Sequence, residues 1–280
     1  NTRFKNKMKI QYNVSDIASL TGYNKYKTNN DILDLVIGYF YRSYPEMKSL
    51  NNFVSSKDEI KSNFDKLSVD DKKSINTLME TDMSDTKILN ASFKKVSSII
   101  NKSEHINMEL DKKTLINYIS GENNKKYGTQ NESKTIDKYK TLTTNVITNN
   151  NDQLYLYETD KYITRGRIDG FCEVDGKKHL VEIKNRKNRI FNFIPIYERI
   201  QLYYYMKSCN IEDVLFIQML DEEIDETIID EIEEDIFIEA DDRLNTLSEL
   251  INKLSTDAEL RDSIIDKKNI DTLSDYIYWI

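Results

Sequence analysis

The sequence predicts an α/β fold in which a mixed sheet is flanked by helices and helices predominate. Its 280 residues include only 7 glycines and 2 prolines, which argues against the many tight turns of a small-strand sandwich or propeller. Between residues 125 and 220 the pattern runs helix, three strands, helix, strand, an order typical of an α/β core. A polar stretch with helical periodicity precedes this region, and we interpret it as a helical insertion.

The first elements are predicted to be helices. The segment from Asn13 to Gly22 predicts a short helix capped by Ser15 and stopped by Gly22, because a serine oxygen can accept from a free amide and glycine tolerates a left-handed backbone. A second helix is expected before the break at Pro45. Its apolar residues at helical spacing are Ile32, Leu35, Val36, Tyr39 and Phe40. Residues 1–45 are the predicted N-terminal part of the core.

Residues 46–124 are the predicted helical insertion or lobe. This stretch is rich in Lys, Ser and Asn, and helical patterns occur near 57–67, 70–80, 86–102 and 111–119. No group of side chains in it indicates chemistry. We therefore predict a structural role for the lobe.

Residues 125–280 are the predicted catalytic part of the core, with an acidic C-terminal segment. Helices are expected at 127–142 and 194–208, and a strand at Val214–Met219 is followed by acidic strand and helix segments to about residue 254. Asp175-Gly176 predicts a hairpin turn. Alternating and β-branched residues predict a small antiparallel sheet. Its expected strands are 153–158, 161–168, 171–175 and 178–184.

Composition excludes several classes of protein. The two cysteines, Cys172 and Cys209, are too few for a disulfide scaffold, a four-cysteine zinc site or a cysteine-held iron–sulfur cluster. No run of about 18 apolar residues occurs, so we expect no membrane-spanning helix and no membrane partner. No segment resembling a secretory signal opens the chain, and we expect an intracellular protein.

The net charge of −8 is distributed unevenly along the chain. Residues 161–207 carry 11 Lys and Arg against 5 Asp and Glu, whereas residues 208–280 carry 5 against 22. Affinity for phosphates depends on where positive charge lies, so the middle block is where nucleic acid would bind. The acidic tract 221–242 is expected to form the outer face of an edge strand and a helix, and to repel DNA.

Two carboxylates and a lysine are predicted to converge in the middle block. In the strand around residue 182, alternate side chains share a face, so Glu182 and Lys184 point together while Val181 and Ile183 point into the core. Across the predicted hairpin, Asp169 supplies a second acid. Carboxylate oxygens suit Mg²⁺, and a nearby ammonium favours the hydroxide form of a bound water. This set of groups can hydrolyse a phosphodiester.

The helix that follows carries Gln201 and Tyr205 one turn apart on one face. With Asp169-Gly170 and Glu182-Ile183-Lys184, this order resembles the PD-(D/E)XK nuclease superfamily, in the branch that includes the RecB-type nucleases and lambda exonuclease. Gly128-Thr-Gln-Asn-Glu132 is similar to that family's Gly-xxx-Glu motif. The segment from Ser15 to Lys27 resembles the opening motif of the YqaJ-type viral recombinases. The resemblance implies a restriction-endonuclease-like core.

The resemblance also implies roles for individual residues. It makes Glu132, Asp169, Glu182 and the carbonyl of Ile183 metal ligands, and Lys184 the group that positions or activates water. Gln201 and Tyr205 would border the site. Ser15 would contact a terminal phosphate at a helix N-terminus. Lys25 and Lys27 would add positive charge, and Ile168 replaces the proline that normally precedes the family's aspartate.

Basic and aromatic residues follow the predicted site. Arg186, Lys187 and Arg189 are expected to hold the DNA backbone on either side of the cut phosphate, with a solvated loop as the plainer interpretation. Two groups of aromatic residues could stack unpaired bases, but aromatics at helical spacing are more often core, so their role stays open. These groups are Phe191 with Phe193, and Tyr203–Tyr205.

The resulting hypothesis is a Mg²⁺-dependent DNA exonuclease that resects linear duplex DNA, with Mn²⁺ able to substitute. Relatives of the lambda-exonuclease type act from a 5′ end as ring-shaped trimers and pass the exposed strand to a single-strand annealing protein. The resemblance thus implies DNA ends and such a protein as partners, a trimer, and a viral or phage protein acting in the host cell. A structure- or site-directed endonuclease or nickase, a catalytically silent DNA-binding module and an RNA-directed nuclease remain alternatives.

Overall fold

Two mixed β-sheets with helices packed on them form the described part of the chain. The computed structural model describes residues 8–50, 56–143, 145–149, 152–230 and 234–280. The strands are β1 (Ile10–Asn13), β2 (Ile147–Asn149), β3 (Tyr155–Glu158), β4 (Tyr162–Gly166), β5 (Gly170–Val174), β6 (Lys177–Asn185), β7 (Val214–Leu220) and β8 (Glu223–Ile229). The α/β class expected from the sequence is therefore confirmed.

Ten α-helices lie within the described residues. They are α1 (Val14–Leu20), α2 (Asn29–Ser43), α3 (Ser56–Lys66), α4 (Val69–Glu80), α5 (Thr86–Lys102), α6 (Glu109–Thr143), α7 (Ile196–Cys209), α8 (Glu234–Leu254), α9 (Ala258–Arg261) and α10 (Ile270–Ser274). A 3-10 turn at Pro45–Leu50 follows α2, and a π-helical turn at Asp262–Asp266 follows α9. None of the described helices is both long enough and apolar enough to span a bilayer.

The strands form two sheets, so the single antiparallel sheet predicted for four of them is wrong. In the described residues, one sheet has the order β1-β4-β3 and the other has the order β2-β5-β6-β7-β8. β1 is parallel to β4, and β6 is parallel to β7 with α7 as the crossover. The hairpin turn is confirmed, since Asp175 and Gly176 both have positive φ, 51° and 78°.

The start of α1 corrects one prediction. The helix begins at Val14 with Asn13 at its N-cap, and Ser15 is an exposed residue of the first turn. β1 runs directly into α1, which brings Asn13 to the cap position. The side-chain Nδ2 of Asn13 donates to Asp16 over 3.0 Å, and the side chain forms no capping hydrogen bond with the helix backbone. The predicted stop is confirmed, because Gly22 adopts a φ of 74° just after the helix.

Helix α6 is continuous over 35 residues, where the sequence pattern predicts two helices. Gly121 and Gly128 lie inside it, and no atom lies within 4 Å of where a Cβ would be added at either position. The predicted limit between lobe and core, at 124/125, therefore falls within α6. The helices α3, α4 and α5 agree with the sequence pattern, and the lobe has its own apolar cluster. Its buried members are Leu67, Ile75, Val96, Ile100, Ile106, Leu115 and Ile119.

The two faces of β6 contact different apolar clusters. Leu180 packs in the main cluster with residues of α1, α2, α7 and α8. Val181 and Ile183 point the other way, into a cluster with Tyr139 of α6. Glu182 and Lys184 share the face of Leu180, and that face is covered by α7. Strand β8 is the edge of its sheet, as expected for the acidic tract; residues 231–233 of that tract lie outside the described residues.

Substitution of two glycines tests this arrangement. A Cβ at Gly170 would lie 2.5 Å from the carbonyl oxygen of Thr148 in β2, so Gly170→Ala should lower the free energy of unfolding by about 1–3 kcal/mol. Gly121→Ala in α6 meets no atom and should raise it by about 0.5–1 kcal/mol. Urea unfolding followed by circular dichroism measures both changes. Equal effects of the two substitutions would contradict the β2–β5 pairing or the continuity of α6.

Candidate active site

The start of β5 and the middle of β6 bring Asp169 and Glu182 together. Asp169 immediately precedes β5, and its Oδ2 accepts a hydrogen bond of 2.6 Å from the amide of Ile183. Gly170 allows the chain to pass close to β2 at this point. The carboxylate of Asp169 is therefore fixed directly beside the strand that carries Glu182.

Lys184 links Glu182 to helix α7. Its Nζ lies 2.5 Å from Glu182 Oε1 and 3.4 Å from Gln201 Oε1. Gln201 Nε2 in turn donates to the hydroxyl of Tyr205 over 3.2 Å. Glu182 is 3% exposed and Tyr205 is also buried, whereas Lys184 keeps a quarter of its side chain accessible. The structure thus joins four predicted site residues in one line of polar contacts.

The site carries more negative than positive charge. Burial, followed by repulsion from Glu182, raises the pKa of Asp169 well above its ordinary value. Burial also raises the pKa of Glu182, and the attraction of Lys184 does not offset it. For Lys184, burial alone would lower the pKa, but Glu182, Glu198 and Asp169 raise it, so the amine stays protonated. Glu132, half-buried on α6, adds to the repulsion felt by both acids.

The donor chemistry of this site fits a hard divalent cation. In the described ranges, no three His, Cys, Asp or Glu side chains are grouped closely enough to hold a metal. Mg²⁺ does not need such a group, because it binds through one or two carboxylates and otherwise through water and substrate phosphates. Asp169 and Glu182 supply two carboxylates, and a cation would relieve the repulsion that raises their pKa values. Glu132, which adds to the repulsion felt by both acids, would be a third acid at this site.

The basic residues after β6 do not share one role. Arg186 is 10% exposed and forms two hydrogen bonds of 2.8 Å with Glu198 and one of 2.8 Å with Gln218. Arg186 thus fastens α7 to the sheet through Glu198, and its predicted role as a DNA contact stays a prediction. Lys187 and Arg189 are exposed, although Lys187 Nζ also donates to Asn124 over 2.6 Å.

The N-terminal residues predicted to contact DNA lie in two places. Ser15 lines a cavity of about 450 Å³ whose wall includes Tyr205, so it comes close to the candidate site. Lys25 and Lys27 are exposed beyond Gly22. Lys27 Nζ lies 3.8 Å from a carboxylate oxygen of Asp31.

Arg165 and Arg167 line the same cavity and were missed by the sequence analysis. Arg165 Nε donates to the side chain of Asn13 over 3.0 Å, and Arg167 is exposed. Gly166 between them allows the ring of Tyr205 to lie against β4, because a Cβ there would collide with that ring. The excess of basic residues at 161–207 was the available signal, but it did not reveal which of them share a pocket.

Comparison with known proteins gives little further information. No protein-family model and no curated protein matches the chain. Among solved structures, the chain is similar to the crystal structure of SSO0001 at 20% sequence identity and a TM-score of 0.35, over 57% of this chain and 84% of that one. A likeness of this size supports no conclusion about fold or function.

The raised pKa of Asp169 predicts a pH-dependent effect on stability. A carboxyl group whose pKa is higher in the folded state binds its proton more tightly there. Stability is therefore lost as the pH rises from the unfolded value, about 3.9, through the folded pKa. In EDTA at pH 7, Asp169→Asn should unfold at a higher temperature than the wild type, because Asn keeps an acceptor for Ile183 and removes the charge.

Thermal unfolding from pH 3.5 to pH 8 measures this difference. The advantage of Asp169→Asn should vanish towards pH 3.5, and Mg²⁺ should raise the unfolding temperature of the wild type more than that of the variant. Glu173→Gln, at an exposed position of β5, is the control and should change neither. A variant that is less stable than the wild type at pH 7 would show that Asp169 is not held against electrostatic repulsion.

Proposed function

We propose that this chain is a Mg²⁺-dependent deoxyribonuclease with a PD-(D/E)XK core. The main support for this proposal is the contact of Lys184 with Glu182. Next to it lies the carboxylate of Asp169, which is fixed by the amide of Ile183. An ion pair on an exposed strand would not need a second, half-buried acid beside it. One buried acid, one half-buried acid and one ammonium at a partly accessible position are the groups required for phosphodiester hydrolysis.

The order of elements supports the same proposal. The motif residues lie on α6, at the start of β5, on β6 and on α7, and β7 then pairs in parallel with β6. This is the order of helix, strands, helix and strand that the resemblance implies. Strand β4, which contains Arg165 and is followed by Arg167, belongs to the neighbouring sheet and contributes to the wall beside Tyr205.

The proposed reaction uses each group in a definite way. Asp169, Glu182 and the carbonyl of Ile183 would hold Mg²⁺, with Glu132 as a further acid. The ion, for which Mn²⁺ would substitute, supplies Lewis-acid polarisation of the phosphate. Lys184 is protonated, so it acts as a positive charge that orients the attacking water and stabilises negative charge on the phosphoryl oxygens.

Gln201 and Tyr205 hold that charge in position. Gln201 accepts from Lys184 and donates to Tyr205, and the Tyr205 ring is wedged against Gly166. Burial, followed by the charge of Glu182, raises the pKa of Tyr205 above its ordinary value, so its hydroxyl stays protonated at neutral pH. We assign Gln201 and Tyr205 as positioning residues that fix the orientation of the lysine.

The cavity beside Tyr205 supports action at DNA ends. Ser15, Arg165 and Arg167 give it hydroxyl and guanidinium donors, which suit a terminal phosphate. We therefore propose that the enzyme acts at the ends of linear duplex DNA, and the resemblance implies resection from the 5′ end. A trimer, a single-strand annealing partner and a viral or phage origin, with action inside the host cell, complete the proposal on the resemblance alone.

Two substitutions test the catalytic assignment. Asp169→Ala and Lys184→Ala should each lower the rate of DNA hydrolysis in Mg²⁺ by about 100-fold or more, because each removes a charge that acts on the transition state. Glu173→Ala and Lys178→Ala are matched controls, since this acid and lysine face each other on the exposed end of the same two strands. Near-normal digestion by either site variant would refute the assignment.

End dependence is tested with labelled substrates. Linear duplexes should be degraded with release of the 5′ label first, while closed circles stay intact. Arg167→Ala should reduce the preference for 5′-phosphorylated over 5′-hydroxyl ends about 10-fold, because it removes a charge-assisted hydrogen bond. Lys161→Ala, just before the start of β4, should not. Cleavage of circles would favour an endonuclease. Firm DNA binding without any metal-stimulated cleavage would favour a silent binding module.

A further inference from the structure

Two exposed aromatic rings lie near the start of α7, which begins at Ile196. Tyr26, from the segment between α1 and α2, is 68% exposed, and its ring contacts that of Tyr197 edge-on at 5.8 Å between centroids. Lys25 Nζ lies 5.3 Å from the Tyr26 ring. Phe193, in the loop before α7, is 62% exposed and stacks on Phe191 at 6.1 Å with an angle of 22° between the rings.

Cationic groups accompany the second pair. The guanidinium of Arg189 lies 5.1 Å from the centroid of Phe191, and that of Arg186 lies 4.4 Å from it. Arg186 is neutralised by Glu198, whereas Arg189 is exposed. Phe191 and Phe193 thus form an aromatic pair with cationic groups beside it in this loop.

The two pairs are connected to each other beside the candidate active site. Tyr197 directly precedes Glu198, which binds Arg186, and Arg186 covers Phe191. Tyr197 also lies one turn before Gln201 on α7, and Gln201 Oε1 lies 3.4 Å from Lys184 Nζ. Tyr26, Tyr197, Phe191 and Phe193, which we call the aromatic row, therefore lie near the site lysine.

Other aromatic residues of the neighbourhood are used for packing. Tyr203 stacks on Phe237 at 4.1 Å, and Tyr204 and Tyr205 are buried. Core packing, the commoner role of aromatics at helical spacing, therefore accounts for Tyr203–Tyr205. It does not account for Tyr26 and Phe193, whose rings are largely exposed to water. Exposure of apolar ring surface to water is unfavourable in free energy.

We propose that this aromatic row binds the unpaired bases of a single-stranded nucleic acid whose backbone runs past Lys184. Every base offers a π-face for stacking, whereas the bases of a duplex are already stacked on each other. Lys25, Lys187 and Arg189 supply charge for the phosphates. This inference rests on the proposed function, which identifies the substrate as DNA. It predicts that the protein binds a separated strand in addition to a duplex.

The test is binding in EDTA, where no cleavage occurs, so that it does not depend on catalysis. Fluorescence anisotropy compares a labelled oligodeoxynucleotide of about 12 nucleotides, an abasic strand of equal length and charge, and a duplex. The wild type should bind the strand with bases at least about 10-fold more tightly than the abasic strand. Tyr26→Ala and Phe193→Ala should each lower that affinity about 10-fold and leave abasic and duplex affinities unchanged.

Three control variants test whether base stacking is the cause of the binding. Phe193→Trp should retain binding, since it keeps a stacking surface, whereas Phe193→Leu should lose it although it stays apolar. Tyr118→Ala removes a partly exposed tyrosine from α6 in the lobe and should have no effect. Circular dichroism verifies that each variant is folded.

Several results would overturn the proposal. These are equal affinity of the wild type for the normal and abasic strands, unchanged affinity in both alanine variants, and equal losses for strand and duplex. A separate digestion assay in Mg²⁺ distinguishes this failure from failure of the nuclease proposal. A protein that binds the strand through these rings but does not cleave it would keep the inference and refute the activity.

Discussion

The hydrogen bond between the Ile183 amide and the Asp169 carboxylate is the contact on which the proposed site depends. It holds the carboxylate against β6 before β5 begins, although Glu182 and Glu132 repel it. The fold therefore keeps like charges near each other in a partly dehydrated place, and a bound cation is the ordinary way to compensate such an arrangement. The site residues are held there by the register of two strands and by the packing around them.

Positive charge in the middle of the chain serves two different purposes. Arg186 forms its ion pair inside the protein, where it neutralises Glu198 and joins α7 to the sheet. Lys184 is largely committed to Glu182 but keeps part of its surface accessible. Arg165 and Arg167 line a cavity instead. The charge available to a nucleic acid is thus smaller than the sequence count suggests, but it is placed beside the candidate site.

The sequence predicted best those features that short-range patterns determine. The hairpin of β5 and β6 follows from Asp175-Gly176 and local alternation, and α7 follows from helical spacing. β1 was missed because its four residues are a strand only through pairing with β4, about 150 residues later. The continuity of α6 was missed because a glycine in a helical pattern is usually interpreted as a helix end. In the structure, Tyr127 and Tyr139 are buried on one face of this helix, and their packing stabilises it. The inward position of Arg186 was also missed, because it depends on Glu198 of α7. A local sequence pattern does not show where α7 packs against the sheet.

Helix α6 has a mechanical consequence. At 1.5 Å per residue its 35 residues span about 50 Å, with Leu115 and Ile119 in the lobe cluster, Tyr139 against the five-stranded sheet, and Glu132 between them. Around Glu132 the helix is tied to the end of β6 on both sides, because Tyr127 and Gly128 hydrogen-bond to Arg186 and Asn185, and Thr135 hydrogen-bonds to Asn185. The carboxylate of Glu132 is therefore held beside the candidate site by the same helix that carries the lobe.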